Sequence, residues 1–184
     1  PGDILVADRN FCSYGSLAVL RLRYQTDGLF HLHASRASDF RKGRRLGPRD
    51  RLVTWNKPTK KPASLSQTEW EQLPATLTVR MVRVRLTTTN SRCRTITLVT
   101  TLTDPKLWPV KLLAALYRRR WNIELYWDDI KTALHMDMLS CKTPAMAHKE
   151  IQMHLIAYNL IRALMAEAAL TANVPLERVS FTGT

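Results

Sequence analysis

Ile4-Leu5-Val6-Ala7 is a short apolar run that stops at Asp8, the pattern of a buried strand with a carboxylate at its C-terminal edge. Across residues 13–23, Leu17 and Leu20, with Tyr24 beyond them, recur at helical spacing. Asp27-Gly28 then closes the helix before Leu29-Phe30-His31-Leu32-His33, a second strand candidate. Strand, helix, strand makes an α/β unit. Residues 36–51 hold seven basic side chains, from Arg36 to Arg51, among Gly43, Gly47 and Pro48, and read as a basic, turn-rich connection.

Residues 76–86 alternate, with Val82 and Val84 on one face and Arg83 and Arg85 on the other, and residues 95–102 are again β-prone. Together with residues 51–55 they predict a small antiparallel sheet. Between its parts lies Lys57-Pro58-Thr59-Lys60-Lys61-Pro62, where proline excludes regular structure. From Asp104-Pro105 onward the pattern turns helical: Asp104 can cap, Pro109 suits a first turn, and Leu112, Leu113, Leu116 and Tyr117 form a stripe. A second helical stretch covers residues 122–134. After a break at 140–143, Pro144 opens a last helix in which Ile151, Leu155, Tyr158, Ile161, Leu164, Met165 and Ala168 predict a face packed on something large.

Composition narrows the partner. In 184 residues, 28 Lys and Arg face 15 Asp and Glu, a net charge of +13 with 45% hydrophobic content. Such a chain folds, and its surface attracts polyanions, nucleic acid first among them. No apolar run reaches the roughly 18 residues of a membrane span, so an anionic membrane surface is the weaker partner. Cys12, Cys93 and Cys141 are scattered without zinc-site spacing and read as reduced thiols of a cytoplasmic protein. Pro1 stands where an initiating Met would, with no leader pattern after it, which predicts that upstream sequence is missing.

Candidate chemistry gathers late in the chain. Tyr117, Arg120, Glu124 and Lys131 stand at intervals of three, four and seven, which on one regular helix places them within an arc of roughly 60°. A solvated face with helical ion pairs would give the same spacing. One acid between cations, however, also suits a hard divalent cation held against a phosphate. Trp121, Tyr126 and Trp127 are interleaved with Arg118, Arg119 and Arg120; rings there can stack a base or pack, and packing is the expectation for both tryptophans. Asp8 alone reads equally as a strand-end cap.

The run Tyr117-Arg118-Arg119-Arg120-Trp121-Asn122-Ile123-Glu124, with Lys131, resembles the Tyr, Arg, Glu, Lys signature of the YREK group of DDE insertion-sequence transposases without a gap. Ala7-Asp8-Arg9-Asn10-Phe11 resembles the same group's second-aspartate motif, with Asn10 where glycine is common. The resemblance implies a part of a ribonuclease-H-like α/β core with a β-rich insertion and a C-terminal helical part. It divides the chain into residues 1–40 with the second acid, 41–103 as the insertion and 104–184 with the YREK motif.

By the same resemblance Asp8 and Glu124 are the second and third acids of the triad and ligate Mg²⁺ or Mn²⁺ for cleavage and strand transfer at insertion-sequence ends. Tyr117, Arg120 and Lys131 contact DNA phosphates. The implied partners are double-stranded DNA and, in the full-length protein, a second subunit; the implied location is the bacterial cytoplasm, at the nucleoid. One departure counts against activity. Asp3 alone precedes Asp8 and enters the same strand, so the first acid is lacking and the fragment is expected to be inactive by itself. The other reading is a basic DNA-binding remnant without chemistry.

Overall fold

Alternation of aliphatic and polar side chains builds a mixed sheet, and the computed structural model describes it within residues 2–33, 39–87 and 93–181. The chain divides into two compact units, Pro1–Arg120 and Trp121–Thr184. The first holds six strands: β1 (Ile4–Ala7), β2 (Asp27–His31), β3 (Arg44–Gly47), β4 (Asp50–Asn56), β5 (Thr76–Thr87) and β6 (Cys93–Thr100). Their order across the sheet is β1-β2-β6-β5-β4-β3. β1 and β2 run parallel, from Ile4↔Asp27 to Ala7↔Phe30, and all other pairs are antiparallel. Helix α1 (Tyr14–Arg23) makes the crossover that a parallel pair requires. The fold is thus α/β, as expected, and compatible with part of a ribonuclease-H-like core.

The residues expected to form a small antiparallel sheet do pair antiparallel as β4, β5 and β6, and that sheet continues into β2. β6 pairs with β2 at Leu29↔Thr100, Phe30↔Val99 and His31↔Leu98. The reason is burial: Leu98, Val99 and Thr100 all lie at 0% exposure, so β6 needs a neighbour on each edge and cover on each face. The basic connection likewise proves to contain structure, since β3 and β4 form a hairpin over Arg44 to Asn56. Gly43 enters it at φ +83°, and a Cβ there would meet the Leu52 carbonyl oxygen at 2.1 Å, so only glycine fits.

The two sheet faces carry separate cores. Leu29, Val82, Val84, Leu86, Ile96 and Leu98 meet Leu113 and Tyr117 of α3 (Val110–Arg118), with Ile4 and Val6 packed alongside. The opposite parity, Phe30, Leu32, Val79, Met81 and Val99, meets Leu17 of α1. Helix α2 (Gln67–Gln72), which no periodicity announces, closes that side: Trp70 and Leu73 pack on Tyr14 and Ala18. Its start is a capping box, in which Ser66 and Glu69 bond each other's backbone N–H. Arg80, at 0% exposure, donates to Asp50 over 2.9 and 2.6 Å and to the Trp108 carbonyl over 2.6 Å. That buried pair fixes β4 and β5 to the segment leading into α3. Asp104 caps only the turn before it, accepting from Lys106 N at 2.8 Å, and Pro109 takes the N-cap position of α3.

The second unit is helical. α4 (Asn122–Asp128) runs on into a π-helical turn, Asp129–Ala133, and α5 (Pro144–Thr171) follows, with Pro144 in its first turn as predicted. The Glu150 carboxylate accepts from Ser140 N and Cys141 N at 2.8 and 2.9 Å, which holds the incoming loop and keeps that carboxyl below its ordinary range. Of the seven residues expected to form the packed face of α5, Met165 alone is buried. Neither Cys12 nor Cys141 forms a disulfide among the described residues; the Cys93 side chain lies outside them, as does Arg36.

Candidate active site

Strand parity sets where Asp8 stands. Ile4 and Val6 pack on the core of α3, so Asp8, the next residue of that parity, is directed to the same side as Tyr117. It leaves the strand into a 3₁₀ turn, Arg9–Phe11, and its Oδ1 accepts from Arg9 N at 2.7 Å. Because Ala7 pairs with Phe30, the parallel register brings His31 alongside Asp8. The imidazole meets the Tyr117 ring edge-on, centroids 6.4 Å apart at 71°. The Arg120 guanidinium lies 6.0 Å from the centre of the Tyr117 ring. Sequence reading missed His31, because only strand register places it beside the acid.

Electrostatics tie these side chains together. Burial pushes the Tyr117 hydroxyl above its ordinary range; Arg120 opposes that rise and the Asp8 carboxylate reinforces it. Burial also lowers His31, against Asp8 and with the help of Arg94, Arg9 and Arg120. Tyr117 is 2% exposed, so its ring belongs to the core.

Beyond Arg118 the chain is not one regular helix. A 3₁₀ turn, Arg119–Trp121, separates α3 from α4, and the π turn follows. The four spaced residues therefore cross three kinds of helix, and the uniform 100° step behind a single 60° face does not hold. Tyr117 and Arg120 belong to the first unit, Glu124 and Lys131 to the second. Glu124 and Lys131 are exposed, and the Lys131 ammonium sits 5.9 Å from the centre of the Trp127 ring. Arg162 of α5 covers Tyr126 at 4.8 Å. Trp121 and Trp127, expected to pack, are 40% and 46% exposed.

Residues 1–160 match the transposase DDE domain family. The chain belongs to that family. It is also 31% identical over 128 residues to the transposase InsG for insertion sequence element IS4 of Escherichia coli (strain K12), a match covering 68% of this chain and 27% of that protein. The chain thus spans well under two thirds of its relative's length. No helix among the described residues is long and apolar enough to cross a membrane.

DDE transposases as a family use divalent metal, and the donors here can be tested against that need. Asp8 offers hard carboxylate oxygen, half-buried at a strand end, the donor type that Mg²⁺ and Mn²⁺ prefer. Glu124 offers the same atoms from an exposed position on α4. The donor chemistry fits. The number is short of a complete site, since among the described residues no three His, Cys, Asp or Glu side chains cluster to hold an ion.

Proposed function

We propose that this chain supplies the second and third acids, Asp8 and Glu124, of a transposase that cuts insertion-sequence ends and joins them to target DNA. The observation that carries the reading is the placement of Asp8 at the end of β1, on the sheet face where Tyr117 and Arg120 of the motif also stand. Asp8 and Glu124 would hold Mg²⁺ or Mn²⁺. Such ions, when bound, lower the pKa of a water or 3′ hydroxyl and stabilise the departing oxygen in in-line substitution at phosphorus. The attacking oxygen forms the new P–O bond as the bond to the leaving 3′ oxygen breaks.

The remaining residues position the DNA. Arg120 offers a planar fork to two phosphate oxygens, and Lys131 a point charge on the exposed π turn, a geometry frequent at functional sites. Tyr117, wedged between His31 and Arg120, contributes its hydroxyl edge and orients the guanidinium. Residues 1–40 then carry the second acid, 41–103 the insertion and 104–184 the motif. The partner is double-stranded DNA at the nucleoid, bound by a dimer of the whole protein.

The first acid must come from a different strand. Asp3 leads into the strand that Asp8 follows, and β1 is an edge strand among the described residues whose outer side can pair with a further one. By this reading the chain alone binds DNA without cutting it. In the whole transposase, Asp8→Asn and Glu124→Gln should each abolish metal-dependent end cleavage and leave salt-sensitive DNA binding nearly unchanged. Cleavage that survives either change would remove the catalytic reading and leave a basic DNA-binding protein.

A further inference from the structure

β6 brings a basic residue from the strand-rich segment to the sheet face of Asp8. Arg94 pairs with Leu86, and Ile96 and Leu98 follow it at the same parity, both in the core that holds Tyr117. His31 pairs with Leu98, so Arg94, Leu98 and His31 share one sheet face with Tyr117. Arg94 is exposed, and no carboxylate among the described residues is bonded to it. Arg9 likewise has none, and it follows Asp8 directly. The His31 imidazole, lowered first by burial, feels the Asp8 carboxylate and, against it, the positive charges of Arg94, Arg9 and Arg120.

An exposed guanidinium on the sheet face of Asp8, with no carboxylate among the described residues bonded to it, has its donors open to an anion with several oxygens. We propose that Arg94 is a DNA-binding residue of this site, gripping a backbone phosphate beside Asp8 from the sheet side and from outside the YREK motif. The proposal rests on the reading of Asp8 and Arg120 given above. It assigns the β5–β6 hairpin a part in holding DNA at the reacting strand. The hairpin also contains its own control: Arg85 pairs with Thr95, one step from the Arg94 pair but on the opposite face, and is likewise exposed.

The test is the salt dependence of binding to a short blunt-ended DNA duplex, with Arg94→Gln, Arg94→Lys, Arg85→Gln and Arg120→Gln compared. Each Gln variant removes the same charge, so general attraction falls equally. Loss of one phosphate contact should reduce the slope of log K against log salt by about 0.9 in Arg94→Gln, with Arg94→Lys near the parent and Arg85→Gln changed much less. If Arg94→Gln and Arg85→Gln are indistinguishable while Arg120→Gln lowers the slope, the assignment of Arg94 is wrong and the site stands. If Arg120→Gln also matches Arg85→Gln, the site reading falls together with it.

Discussion

The two units bury their apolar residues to very different degrees. In the sheet unit, Leu17, Leu29, Val79, Val82, Leu98 and Leu113 reach 0% exposure, and both sheet faces are closed by helices. In the helical unit, Ile130, Met165 and Ala169 are the buried apolar residues among those described, while Met153, Ile156, Leu160 and Leu164 are 63%, 52%, 62% and 58% exposed. A helix with apolar residues all round belongs inside a larger assembly of chain. The sheet unit thus holds most of the buried apolar side chains, and the helical unit, on which the proposed Glu124 and Lys131 stand, holds few. Asp8 stands on the sheet unit.

Breaking the sheet unit at its buried ion pair should produce the largest effect. Asp50→Ala leaves Arg80 charged and enclosed, at a cost of about 3–5 kcal/mol, read as a fall in the denaturant midpoint. Truncation sharpens the contrast between the units. Leu113→Ala should cost about 2–5 kcal/mol by leaving a cavity under α3, whereas Leu160→Ala, on exposed α5 surface, should stay within about 0.5 kcal/mol. Equal losses at the two leucines would mean that the helical unit is as tightly packed as the sheet. Below the core truncation comes Ser66→Ala, which removes the capping box of α2 for about 1 kcal/mol in the same unfolding measurement, with Leu160→Ala the smallest change of all.

Where a signal is local, the sequence carries it. The alternation around Val82 and Arg83 marks β5, and Pro144 marks the start of α5. Asp8 stands out because a polar acid ends an apolar run. The Ser66 and Glu69 pair caps a helix of only six residues, too short for an apolar stripe to announce α2. β3 was hidden because Arg44 and Arg45 lie on an exposed edge strand, where charge is tolerated and hydrophobic alternation is absent. Pairing of β6 with β2 depends on which strands meet, and no residue states its partner. The 3₁₀ and π turns within the motif defeat any fixed angular step, so the four motif residues are readable in sequence while their faces are not. His31 becomes visible only through the β1–β2 register.

The proposed pairing of Asp8 and Glu124 at one metal centre of the whole transposase can be mapped chemically. Replacing Mg²⁺ with Fe²⁺ and generating hydroxyl radicals with ascorbate and peroxide cuts the polypeptide next to the bound ion, and the fragment ends can be mapped. Cuts are expected close to both Asp8 and Glu124, with Asp8→Asn or Glu124→Gln diminishing both sets together. Cuts beside one acid that persist unchanged when the other is replaced would contradict that pairing.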